Sequence, residues 1–131
     1  SVYGDLIAVH GGVVWLAVNS GGAGKQGYGL DANRDGVKQF GLEHPVLLDE
    51  TGKVGHMYGA TNTPHMMVIS PDGKLAYRGA IDNSPDGEGD SPEGGKLVNY
   101  VEQAIGELGS GKAVSKAESK AYGCGVKYAT P

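Results

Sequence analysis

Gly59-Ala60-Thr61-Asn62-Thr63-Pro64-His65-Met66-Met67-Val68-Ile69-Ser70-Pro71-Asp72-Gly73-Lys74-Leu75-Ala76-Tyr77-Arg78-Gly79-Ala80-Ile81 decides the fold of this chain. It reads as a loop, a proline, an apolar strand, a Pro-Asp-Gly turn and a second strand. Met66, Met67, Val68 and Ile69 make the first strand, a buried one. Leu75, Tyr77, Gly79 and Ile81 alternate with Ala76, Arg78 and Ala80, the period of a hairpin partner. The loop sets Pro64 at the mouth of a sheet, where an X-Pro bond can be cis and shape a site.

Upstream of that stretch, Val54, Met57 and Tyr58 line one face of a short helix after the turn Glu50-Thr51-Gly52. Pro45-Val46-Leu47-Leu48-Asp49 is a short strand. Leu30, Val37 and Phe40 stand at helical spacing, with Gly41 as the cap. The Gly-rich run 19–29 fits neither Walker A nor the dinucleotide fingerprint and reads as a surface loop. Val13-Val14-Trp15-Leu16-Ala17-Val18 is continuously apolar, which predicts a strand buried on both faces. Val2, Leu6, Ile7 and Val9 predict a short amphipathic helix, ended by Gly11-Gly12.

Downstream, residues 82–95 form an acidic, Gly- and Pro-rich loop. Ser91 then reads as an N-cap and Pro92 as the first helical residue. Leu97, Val98, Val101, Ala104, Ile105 and Leu108 give an amphipathic helix that packs on the sheet, stopped by Gly109 and Gly111. Residues 112–131 read as an irregular tail that wraps the body. The elements alternate as in an α/β layered domain, and 131 residues suit one such domain.

Composition removes several function classes. The net charge is −4 with Lys and Arg interspersed, so no basic stripe speaks for nucleic acid. No apolar run reaches membrane-spanning length. No signal peptide is read, and Ser1 suits a processed or truncated start. The 24 glycines follow no period and point to tight turns. One cysteine, Cys124, excludes an internal disulfide and a CxxC motif.

The chain resembles the thioredoxin-fold redoxins, more narrowly the peroxiredoxin-like class of alkyl hydroperoxide reductase and thiol-specific antioxidant relatives. The matching stretches are 12–20, 44–49, 58–81 and 82–108, with the tail Tyr122-Gly123-Cys124-Gly125-Val126-Lys127-Tyr128. The Thr63-Pro64 loop followed by the hairpin is the most specific piece. The resemblance implies a thioredoxin-like three-layer α/β/α arrangement with a mixed sheet and a cis bond before Pro64. It implies that Thr63 offers backbone groups to an extended peptide or peroxide-bearing ligand, with His65 at the site mouth. The implied reaction is thiol attack on a peroxide or disulfide, served by a thiol reductant, with Cys124 as the available thiol and in such a family a resolving one.

The chain also departs from that family. Its members begin with a central strand that ends in a cysteine-bearing loop opening a long helix. This chain begins near the last turns of that helix, so the resemblance implies an N-terminally truncated fold. Unpaired backbone groups in the gap would cost about 1–3 kcal/mol each. The remedies are direct pairing of the flanking strands, a homodimer that fills the gap, or a longer parent protein. Relatives occur in both cytoplasmic and exported settings.

Four features carry candidate chemistry. Thr63, Pro64 and His65 form a candidate substrate-binding turn; the same turn also serves the fold alone. Cys124 lies between two glycines, an open setting for a nucleophilic thiol, though reactivity asks for a nearby cation, helix N-terminus or metal. His10, His44, His56 and His65 show no metal-binding spacing. In residues 82–93, Asp82, Ser84, Asp86, Asp90 and Glu93 fall at positions one, three, five, nine and twelve, with Gly87 at six, the ligand schedule of a calcium loop. A solvated acidic loop before a capped helix explains the same letters. Asp31-Ala32-Asn33-Arg34-Asp35-Gly36 begins likewise but reaches Leu42 at position twelve. No other cofactor is expected. A redoxin-like oxidoreductase is thus one reading. The other is a non-catalytic thioredoxin-fold binding or scaffold protein, using the Pro64 turn or calcium at 82–93.

Overall fold

A computed structural model describes residues 12–40, 45–86 and 88–130. The helix expected at 1–10, the Gly41 cap, His10, His44 and Gly87 lie outside them. In chain order the described elements are β1 (Ala17–Asn19), α1 (Leu30–Phe40), β2 (Val46–Leu48), α2 (Lys53–Met57), β3 (Asn62–Thr63), β4 (Met66–Ile69) and β5 (Leu75–Gly79). A 3-10 turn (Glu93–Gly95), α3 (Tyr100–Gly109) and β6 (Cys124–Gly125) follow. The fold is mixed α/β. Its described strands pair two by two: β1 parallel to β2, β3 antiparallel to β6, and β4 antiparallel to β5. The chain gathers into two compact units, residues 1–60 with 126–131, and residues 61–125.

In the first unit, Asn19 and Asn33 hold the Gly-rich loop as a surface turn. Asn19 Nδ2 donates to Gly27 O at 3.0 Å and to Asn33 Oδ1 at 2.7 Å, while Asn33 Nδ2 donates to Gly29 O at 2.6 Å. At the end of β2, the buried Asp49 carboxylate accepts from Ser20 Oγ (2.7 Å), Val54 N–H (3.1 Å) and Gly55 N–H (2.8 Å). It thereby satisfies the first turn of α2, where Gly52 has no side chain to do so. Burial pushes the Asp49 carboxyl up, yet the Gly55, Ser20 and Val54 hydrogen bonds and His56 together bring it below its ordinary value. The end of the chain closes on this unit. Gly22 N–H donates to Lys127 O at 2.8 Å, and Tyr128 stacks on His56 with ring centroids 3.8 Å apart.

The 13–18 run is not buried on both faces. Val14 is 81% exposed, Leu16 51% and Val18 45%, while the intervening Val13, Trp15 and Ala17 are half-buried. A two-stranded sheet has one packed face, so alternate residues turn outward. Leu47, in register with Val18, is exposed on the partner strand.

In the second unit, Val68 stands opposite Tyr77 in the β4–β5 hairpin, and both are buried. The helix α3 packs on these two strands and buries Val101 and Ala104, with Tyr100 6.2 Å from the Tyr77 ring. This helix starts later than the Ser91-Pro92 signal predicts. Gly94 and Gly95, at φ +79° and +80°, break the first turn, and Asn99 is the cap, its side chain accepting from Glu102 N–H at 2.9 Å.

The Tyr77 hydroxyl has no access to solvent. It donates to Ala80 O and lies 2.6 Å from Ser119 Oγ, which accepts from Ala80 N–H at 3.0 Å. Arg78 N–H donates to Ala117 O and Ser119 N–H to Arg78 O, so residues 117–119 run beside β5. The Arg78–Glu118 ion pair at 3.0 Å lies over this contact. Part of the expected irregular tail is therefore strapped to the hairpin. The strap passes so near Gly79, at φ +140°, that an added Cβ would run into Ser119 O. Gly79→Ala is expected to lower the unfolding free energy by about 1–3 kcal/mol, from the disfavoured φ and the displaced strap. Urea unfolding checks it, and a midpoint equal to the parent's refutes it.

Candidate functional site

The strap continues from Ser119 to the turn singled out in the sequence. The Thr63–Pro64 peptide is cis, as the resemblance implies. Thr63, immediately before it, pairs with Cys124, and Asn62 pairs with Gly125. The structure thus brings together two features more than sixty residues apart: the proline turn and the lone thiol. Gly123 makes the approach feasible. At φ +97° it occupies a conformation that side chains disfavour, and an added Cβ would collide with Thr63 O. Asn62 Nδ2 adds a bond to Gly123 O at 3.2 Å.

Cys124 is a free, exposed cysteine. Among the described residues no hydrogen bond or ion pair engages its sulfur. It is therefore open to an incoming reagent, and its thiol is left to the solvent rather than to a protein partner.

His65 is tied into the turn itself. Its Nδ1 accepts from Thr61 N–H at 3.1 Å, closing the turn from within. That bond requires an unprotonated Nδ1. Burial chiefly, and then the Arg78 guanidinium, hold the imidazole below its ordinary value of 6.5, against a smaller opposing pull from Glu118. His56 is stacked on Tyr128 in the first unit and takes no part in this turn.

Three of the five oxygen positions of the calcium schedule, Asp82, Ser84 and Asp86, bond within their own loop. Among the described residues no group of three or more His, Cys, Asp or Glu side chains is placed to hold a metal ion. Asp82, Ser84 and Asp86 are spent on the loop itself. Asp82 Oδ1 accepts from Ser84 N–H at 2.9 Å and from Tyr122 Oη at 2.7 Å. The fully buried Ser84 hydroxyl donates to Asp86 Oδ1 at 2.8 Å and accepts from Ser91 N–H at 3.0 Å. Asp86 also accepts from Glu88 N–H at 2.7 Å and Gly89 N–H at 3.0 Å. The Glu88 N–H and the Ser84 hydroxyl are the main reasons its carboxyl falls to about 2. Asp90 and Glu93 stay exposed. Asn83 binds the loop's exit, donating to Glu93 O and Lys96 O. Side chains with the right spacing for a cation thus satisfy backbone N–H groups instead, a common use of Asp and Ser in turns.

An open surface groove in the first unit is lined by Leu30, Asn33, Arg34, Val37, Lys38, Val46 and Leu48; Thr63, Pro64, His65, Cys124 and the 82–93 oxygens do not line it. The sequence reading missed Asn62, Tyr122 and Asp82 as supports of the thiol. Their only local signal is the Gly-Cys-Gly context, since their partners come from distant segments.

The His65 bond sets a pH dependence. A folded-state value below 6.5 means the unfolded chain takes up the proton first, so this stabilisation is present above about 6.5 and is lost as pH falls below it. NMR titration should show His65 titrating below 6.5, with the Thr61 amide shift following the same curve. A His65 midpoint at or above 6.5 contradicts the assignment.

No protein-family model matches the sequence, and no curated protein matches it. Among the solved structures similar to it are two crystal structures. One is a hypothetical protein of Sinorhizobium meliloti, with 27% identity and a TM-score of 0.78, over 99% of this chain and 68% of that one. The other is an uncharacterized conserved protein of Geobacillus kaustophilus, with 26% identity and a TM-score of 0.80, over 99% of this chain and 66% of that one. The chain spans about two thirds of the length of each, and neither description assigns an activity.

Proposed function

We propose that the chain is a redoxin-class, thiol-dependent oxidoreductase in a thioredoxin-like α/β/α arrangement, with Cys124 as the reacting thiol and Thr63–Pro64 as the substrate-facing turn. The observation that carries this reading is the pairing of Cys124 with Thr63. Sequence distance alone gave no reason to place the chain's single thiol beside the turn where the resemblance puts the substrate.

The favoured reaction is thiol–disulfide exchange. The Cys124 thiolate attacks one sulfur of a disulfide R–S–S–R′, forming Cys124–S–S–R and releasing R′–S⁻. An external thiolate then attacks the R sulfur, regenerates the Cys124 thiolate and leaves a new low-molecular-weight disulfide. These 131 residues hold one cysteine, so in this scheme the reductant is a separate thiol. A hydroperoxide is the second substrate class. The thiolate takes the terminal OH, giving Cys124–S–OH and an alkoxide that picks up a proton. Two reductant thiols then release water and a disulfide. The exposed sulfur suits the approach of a disulfide.

Two assays with dithiothreitol as reductant test the reading: reduction of an aromatic disulfide, and consumption of cumene hydroperoxide. The protein should exceed an unstructured Gly-Cys-Gly peptide by at least tenfold in the first assay, and Cys124→Ala should abolish the excess. Rates equal to the peptide's in both assays would reject the enzyme reading in favour of a non-catalytic binding or scaffold protein.

A further inference from the structure

Cys124 sits on a strand of only two residues, Cys124–Gly125, flanked by glycines. So short a pairing, with a glycine on each side of Cys124, has little intrinsic rigidity. Something else must fix the thiol if it is to meet a disulfide in line. The nearest side-chain anchor toward the N-terminus is Tyr122, two residues away. Its hydroxyl donates to Asp82 Oδ1 at 2.7 Å, and both residues are half-buried.

Asp82 is itself held from several sides. It forms an antiparallel bridge with Asn99, the N-cap of α3. Its neighbours are tied to the helix start as well, Asn83 N–H donating to Val98 O and Tyr100 N–H to Ile81 O. The same Oδ1 that receives Tyr122 receives Ser84 N–H, and Ser84 leads into the internally bonded acidic loop. Support therefore runs from the α3 cap and the 82–93 loop through Asp82 to Tyr122, and from Tyr122 to the thiol. Asn62 Nδ2 on Gly123 O closes the bracket from the turn side.

We infer that Tyr122, hydrogen-bonded to Asp82, is a positioning residue for the Cys124 thiol, and that Asp82, held by Ser84 N–H and the Asn99 bridge, is the seat of that contact. The assignment of a reaction to this thiol rests on the function proposed above; the positioning itself does not. A thiol held in place loses less freedom on reaching the in-line geometry of sulfur exchange, which is how such a contact raises rate.

The test uses the single cysteine in two ways. A methanethiosulfonate nitroxide label on Cys124 reports local order by electron paramagnetic resonance. Exchange with an aromatic disulfide and alkylation by iodoacetamide report reactivity. Tyr122→Phe keeps the ring and removes the hydroxyl; Asp82→Asn keeps an acceptor at Oδ1; Asp82→Ala removes it. The label should be ordered in the parent and in Asp82→Asn, and mobile in Tyr122→Phe and Asp82→Ala. Disulfide exchange should fall about tenfold in the two mobile variants and recover in Asp82→Asn, while alkylation, which needs access alone, changes less than twofold.

Equal label order in the parent and Tyr122→Phe overturns the inference, as does a parallel rise of alkylation and exchange, the mark of general loosening. If the parent's exchange is no faster than that of the Gly-Cys-Gly peptide but the label responds as described, the enzyme reading fails and the positioning contact stands.

Discussion

A phenol sealed from water must find its hydrogen bonds inside the protein, and the second unit is arranged around that requirement. The Tyr77 hydroxyl is met by Ala80 O and by Ser119 Oγ. Burial accordingly raises the phenol above its ordinary value, which keeps it protonated and able to donate. Because Ser119 belongs to the chain's last segment, satisfying Tyr77 draws that segment onto the hairpin. From Ser119 the strap has few residues left before Cys124, and Tyr122 and Gly123 steer them onto Thr63. A core hydrogen bond thus determines where a surface thiol lies.

The acidic loop follows the same logic at the surface. Its composition suggests a cation, yet its oxygens are used on N–H groups that the irregular backbone leaves without partners. Ser84 is the pivot: fully buried, it both donates and accepts, so neither of its hydrogen-bonding capacities is wasted. Asp86 is ionised at neutral pH and gathers the Glu88 and Gly89 N–H groups beside the Ser84 hydroxyl. Asp49 does equivalent work in the first unit, where it completes a helix turn that begins at a glycine. Short polar side chains in this Gly-rich chain thus take over duties that longer elements meet by regular pairing.

The hairpin, its Pro-Asp-Gly turn, α1, α2 and the short β2 strand were legible from local letters, whereas the cis bond before Pro64 was implied by the resemblance. Turn chemistry and period act within a few residues, so no distant partner is needed to read them. The exposed face of β1 was not legible. Continuous apolar runs fit burial on two faces, but with only β2 as a partner, Val14, Leu16 and Val18 alternate outward. The start of α3 was misplaced for a local reason: Ser91-Pro92 is a sound cap signal, overruled by two glycines in the left-handed region and by a better cap at Asn99.

The sequence by itself determined an α/β alternation, a proline turn before a hairpin, and a single thiol in a flexible context, because each depends on neighbours along the chain. Tertiary structure alone decided that the thiol meets the turn, that His65 braces the turn from inside, and that the acidic loop is bonded to itself. The first outcome depends on contacts such as Thr63 with Cys124 and Asp82 with Tyr122, whose members lie forty or more residues apart, while the other two are local bonds that the path of the backbone permits. No periodicity or composition encodes which distant group will satisfy a given donor; that is settled only when the packed chain leaves each buried polar atom one partner within reach.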